Sequence, residues 1–182
     1  TKNIKKGFSL FELSVAITIV GFLAFGIIQG GELVRQSKIT SAAMLTKSSV
    51  VGKIDNLVLW LEPTMSASFS AIEAIDGGKI STWHNISDTK ITAVNAVQDA
   101  VDKKPTYTIN AINGLPALKF VRANNNYMSV ASGFDNNADS LTIFLVWQPT
   151  LTTGLEMDLL EKCSGSVPYP YVLRTTTNYT FA

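Results

Sequence analysis

Residues Phe8 to Ile28 form a nearly unbroken apolar run of 21 residues that holds one carboxylate, Glu12. As a helix rising 1.5 Å per residue the run is about 30 Å long, which suits the hydrocarbon core of a bilayer. A carboxylate at the centre of a membrane helix costs roughly 2.5–3.5 kcal/mol on insertion scales. An unpaired glutamate in such a run therefore needs a reason. Lys2, Lys5 and Lys6 precede the run, and Gly7 sits at the junction.

The segment Lys5-Lys6-Gly7-Phe8-Ser9-Leu10-Phe11-Glu12-Leu13 resembles the leader junction of type IV pilins and type II secretion pseudopilins. The resemblance covers roughly residues 2 to 31. It implies a prepilin peptidase that cuts after Gly7 and N-methylation of the new terminal residue, Phe8. It also implies that Glu12, the fifth residue of the mature chain, meets the amino group of Phe8 on a neighbouring subunit during filament assembly.

Simple electrostatics agrees. Cleavage after Gly7 creates a cation at the edge of the apolar run, and Glu12 supplies the anion. Within one helix the two positions are four residues apart and within reach. Between staggered helices the pair would neutralise both charges where the dielectric is low, and would fix axial register as a buried polar group does in a coiled coil. Two other readings compete. A plain signal anchor would carry the same basic residues on the cytoplasmic side but gives no reason for Glu12. A secretory signal peptide would have a shorter apolar region and a small-residue cleavage site, of which Ala24-Phe25-Gly26 is a poor version.

The chain of 182 residues is long enough for an anchor plus one domain. Its net charge is +1; without residues 1–7 it has 12 basic and 14 acidic side chains, a net of −2. Neither balance suggests a specific nucleic-acid partner, which would need a clustered basic face. Cys163 is the single cysteine. It excludes an internal disulfide and a CxxC site, and fits a small apolar residue in a strand or a link to another chain.

Three segments are expected: a leader over 1–7, an assembly and membrane helix over 8–54, and a β-rich head over 55–182. Gly30-Gly31 marks a plausible bend at the membrane exit. Beyond it Ile39, Ala43, Val50 and Ile54 share a helix face that would rest on the head. The head should be an antiparallel sandwich, giving an α+β chain overall. Its clearest strands are 56–61, 79–83, 117–121, 127–130, 141–147 and 171–174. Asp76-Gly77-Gly78, Asn113-Gly114 and Asn124-Asn125-Asn126 supply turns.

Leu59-Trp60-Leu61, Ile80-Ser81-Thr82-Trp83-His84-Asn85, Ile112-Asn113-Gly114-Leu115-Pro116-Ala117-Leu118-Lys119-Phe120 and Asn126-Tyr127-Met128-Ser129-Val130 together resemble the opening strands of a concanavalin A-like, laminin-G-type jelly roll. Such domains need more strands than remain before Ala182, so the sandwich is expected to be incomplete within this sequence.

Chemistry in the head is sparse. Trp83, His84 and Asn85 could line a carbohydrate site, with the indole stacking on a sugar ring; the competing reading puts Trp83 in the core. Asp135, Asn136, Asn137 and Asp139 form an oxygen-rich loop of the kind calcium takes, although an ordinary solvated turn has the same composition. A single histidine excludes a His-based metal cluster, and no cofactor is expected. The chain is expected to be a non-enzymatic filament subunit, held in the bacterial inner membrane before assembly and then placed in a periplasmic or surface filament. Its partners would be prepilin peptidase and other pilin subunits. The alternatives are a type II secretion pseudopilin and a membrane-tethered carbohydrate-binding protein.

Overall fold

The computed structural model describes residues 7–88, 94–131, 140–149, 157–162 and 171–175. One helix, α1, runs through Leu10–Ser48, about 58 Å at 1.5 Å per residue. It continues as α-helix through Gly30-Gly31, where the sequence suggested a bend. It stops short of residue 54 for a local reason. Ser48 and Ser49 turn their hydroxyls onto the carbonyls of Leu45 (3.1 Å) and Thr46 (2.7 Å), and so compete with the backbone ladder. Ser49 is extended, and a 3-10 turn follows over Val50–Lys53.

From Glu32 to the C-cap Ser49 the half-buried residues are Glu32, Arg35, Ile39, Ala42, Ala43, Thr46 and Ser49. The three-and-four spacing makes one stripe along the helix, and α1 packs against strand β4, Leu115–Lys119. Ile39 and Ala43 belong to the stripe as expected. Val50 (75% exposed) and Ile54 do not, because the helical period ends at Ser49.

The head is built from short antiparallel strands. β1 (Thr82–Trp83), β2 (Ala96–Val97) and β5 (Ser129–Val130) form one sheet. β3 (Thr106–Ile112) pairs with β4, and β6 (Met157–Lys162) pairs with β7 (Tyr171–Thr175). The described strands do not complete the expected jelly roll. What they establish is an α+β chain with one long apolar helix followed by small antiparallel sheets.

The β3–β4 hairpin turns at Asn113-Gly114, with both residues at positive φ, 54° and 79°. This is the two-residue turn that Asn-Gly favours. Ile112 pairs with Leu115 and Thr108 with Ala117, so Ile109, Asn110 and Ala111 stand opposite the single Pro116. Pro116 has no N–H for the ladder, and a bulge absorbs the defect. The Ile109 amide donates instead to Asp76 Oδ1 at 3.1 Å.

The segment expected as a strand over 56–61 carries no ladder. Its backbone polar groups are met by the Asn85 side chain, which accepts from Trp60 N (2.8 Å) and donates to the Val58 carbonyl (2.8 Å). The expected strand over 141–147 also lies outside any ladder among the described residues. Phe144 and Val146 there are almost fully exposed.

The core is small. Ile80 is fully buried, beside Phe69 and Tyr107. The Phe69 ring lies 5.5 Å from Trp83 and 5.4 Å, edge-on, from Tyr107. Buried Gln98 is satisfied: its amide donates to the Tyr127 carbonyl (3.0 Å) and accepts from Ala100 N (3.0 Å).

Candidate functional site at the N-terminal helix

Gly7 and Phe8 precede the first turn of α1 and are exposed. Phe8 is 89% exposed, and Gly7 has open space around it. A protease could therefore reach the Gly7–Phe8 bond without unfolding anything described.

Ser9 is the N-cap, and the first turn closes on it reciprocally. Its hydroxyl accepts from Glu12 N at 3.2 Å, and the Glu12 carboxyl accepts from Ser9 N at 2.8 Å. This is a capping box, which satisfies two backbone donors that no intrahelical carbonyl can reach. Glu12 thus has a local duty as well as the intersubunit one expected of it. The signal was present in the sequence as Ser-x-x-Glu ahead of an apolar run; attention to the charge alone missed Ser9.

The rest of the run is bare. Large apolar side chains from Leu10 to Ile28 are exposed, Phe22 at 75% for example, and Gly21 and Gly26 touch nothing beyond the helix. Among the described residues, one helix is long and apolar enough to cross a membrane. So large an exposed apolar surface is consistent with membrane anchoring.

Within the run Ser14 and Thr18 donate their hydroxyls back to the carbonyls of Phe11 and Ser14; side-chain ion pairing begins beyond it. The Arg35 guanidinium, and secondarily the Gln36 amide, hold the Glu32 carboxyl down to about 2 from an ordinary 4.5. Burial pushes the Tyr107 phenol up, against the opposing pull of Arg35. Arg35 therefore sits where the helix meets the core. Lys38 lies over the hairpin turn, its Nζ 3.3 Å from where a Cβ on Gly114 would stand.

In the head, the three candidate carbohydrate residues have separate roles. Trp83 packs against the core, and its indole Nε1 is buried without an acceptor among the described residues. The Asn85 amide is used on the 58–60 backbone and on Ser87 N, at 3.0 Å. His84 is exposed, and its amide donates to the Ser68 carbonyl at 2.9 Å. The structure therefore does not gather them into one open surface. The calcium candidates Asp135, Asn136, Asn137 and Asp139, and Cys163, lie outside the described residues. No group of three metal-ligating side chains occurs among the described residues.

The family described as the prokaryotic N-terminal methylation motif matches residues 2–28. The N-terminus is type IV pilin-like. The match takes in Gly7, Phe8, Ser9 and Glu12 and the bare part of α1, and it implies processing by prepilin peptidase and assembly with pilin subunits. It stops before the head. No curated protein and no solved structure matches the chain.

Proposed function

We propose that this chain is a structural subunit of a type IV pilus-like filament. One observation carries the reading. An exposed Gly7–Phe8 junction opens a bare apolar run, 8–28, whose one carboxyl, Glu12, lies in the first turn of α1, inside the matched methylation motif. Before assembly the helix anchors the chain in the inner membrane. After cleavage it packs among identical or related helices, held by side-chain packing and interhelical polar contacts, since lipid tails are as apolar as the helix they leave. Glu12 sets the register by pairing with the Phe8 ammonium of a neighbour.

The head rides on the outer side of the helix bundle and meets the surroundings. Its seat is the Glu32-to-Ser49 stripe of α1 against β4. Trp83 and Asn85 are occupied inside the head, so its surface rather than this trio is assigned the contact role.

Filament fractionation tests the reading. Cells producing the chain with its assembly machinery are sheared, and filaments are pelleted. The chain is expected in the pellet without residues 1–7. A chain that stays in the membrane fraction, leader intact, would overturn the reading and leave a tethered head domain.

A further inference from the structure

We infer that the turn from Ser70 to Gly78 is a second membrane contact, resting Ile72 and Ile75 in the lipid headgroup boundary beside α1 while the chain is anchored. The inference rests on the membrane-anchored stage of the filament-subunit reading above. The turn is closed on itself. The Ser70 carbonyl accepts from Glu73 N (3.0 Å) and Ala74 N (2.9 Å), and the Ile75 carbonyl accepts from Gly78 N (2.8 Å). Ala74 packs against the core. The Glu73 carboxyl accepts from Ser81 N (3.2 Å) and Ser81 Oγ (2.5 Å). Ile72, 83% exposed, and Ile75, 59% exposed, are left on the outside. Two large aliphatic groups presented together on one rigid turn mark a contact surface.

The place of the turn along α1 identifies the partner. Lys38 lies over the Asn113-Gly114 tip of the β3–β4 hairpin. About one turn nearer the apolar run, Arg35 interacts electrostatically with Tyr107 of β3 and with Asp76. Residues 77–79 follow the edge of β3 that β4 leaves open: Gly77 N donates to Tyr107 O (2.9 Å), Tyr107 N donates to Gly78 O (2.8 Å), and Lys79 bridges to Thr106. The sheet thus steps from hairpin tip to the 76–79 edge as α1 steps down from Lys38 to Arg35. Arg35 is seven residues past Ile28, about 10 Å along the helix, and headgroups extend roughly 5–8 Å beyond the hydrocarbon core. An isoleucine side chain and an ordinary helix tilt of about 20° span the difference. Leu33 and Val34, 66% and 59% exposed, continue the apolar surface of the run toward this level. The carboxylates that would oppose docking are already engaged: Glu32 by Arg35 and Gln36, Glu73 by Ser81, and Asp76 by Ile109 N. Lys79, exposed on the same edge, carries the sign that anionic lipid attracts. An apolar tip with a cation beside it is the pattern that lies in a membrane interface. Docking fixes the rotation of the head about α1 before assembly, and is given up when the subunit leaves the bilayer.

The test uses the full chain carrying Cys163→Ser, reconstituted in vesicles of phosphatidylethanolamine and phosphatidylglycerol. Nitroxide labels are placed singly through Ile28→Cys, Leu45→Cys, Ile72→Cys and Ile75→Cys. Collision rates are read with oxygen, which concentrates in lipid, and with a water-soluble nickel chelate. The label at 28 reports the anchor. The label at 45, a site 71% exposed and about 26 Å past Ile28 along α1, reports water. Labels at 72 and 75 should favour oxygen as the label at 28 does, with nickel collisions several-fold below those at 45. Adding Ile72→Asp to the chain labelled at 75 should shift the docking equilibrium toward water on the order of tenfold. Lipid-like collisions at 28 with water-like collisions at 72 and 75 would overturn the inference and leave the anchored reading standing. Shielding of 72 and 75 from both probes, growing with the protein-to-lipid ratio, would assign the turn to a second copy and also overturn it. Water-like collisions at 28 would overturn the anchored reading, and the inference with it.

Discussion

Glu12→Leu should stay in the membrane, be cut after Gly7, and fail to enter filaments. Removing a carboxyl makes the run more apolar, and on insertion scales leucine is favourable where acidic residues cost a few kcal/mol. Anchoring should therefore not suffer. What is lost is the partner for the Phe8 ammonium. A cation left without its anion at low dielectric opposes packing by several kcal/mol, so incorporation should fall by at least a hundredfold. Glu12→Gln separates the two duties of this residue. Glutamine can still accept from Ser9 N, as capping boxes allow, but carries no charge. If the charge matters, Gln fails to assemble as Leu does. Normal assembly of Gln would show that the cap alone explains Glu12. Quantitative immunodetection in membrane and sheared fractions reads both variants.

Gly78→Ala should collapse the head. An added Cβ would stand 2.0 Å from the Glu73 carbonyl oxygen and 2.9 Å from that of Ile75. Both obstacles are backbone, so no side-chain rotation relieves them. Gly78 also ties the turn into the ladder: its N–H donates to Ile75 O (2.8 Å) and its carbonyl accepts from Tyr107 N (2.8 Å). Any shift would pull on Tyr107 and on the fully buried Ile80, two residues along. The cost should exceed the usual overpacking range of about 1–3 kcal/mol, lowering the melting temperature by roughly 10 °C or more. Gly77→Ala is the internal control. Gly77 has φ +78° but open space around it, so only the left-handed backbone is strained, at about 1–2 kcal/mol. Thermal unfolding followed by tryptophan fluorescence should rank Gly78→Ala well below Gly77→Ala. Equal losses would contradict the packing described for this turn.

Local features were legible in the residues; long-range ones were not. The Asn113-Gly114 turn requires only what those two residues prefer, and it formed. The apolar helix was equally plain, because 21 consecutive residues are almost all apolar, the length a bilayer core requires. Its end was not, since nothing in composition says that Ser48 and Ser49 will take the last carbonyls. Residues 56–61 have strand-like composition, yet their hydrogen bonds go to Asn85, more than 20 residues away. A side chain standing in for a strand leaves no periodic trace. Trp83 and Asn85 suggested a ligand surface by their types alone. Their roles in core and backbone bonding depend on Phe69 and Val58, which the local motif does not contain. At the N-terminus the pattern Ser9-x-x-Glu12 was readable, but a glutamate in an apolar run draws attention to its charge rather than to its cap.

The central claim is that residue 8 becomes the terminus of a filament subunit, and N-terminal peptide mass spectrometry on protein from its native membrane tests it most directly. The account predicts a chain that begins at Phe8 and carries one added methyl group. A chain that keeps Lys5-Lys6-Gly7 ahead of Phe8 would contradict it.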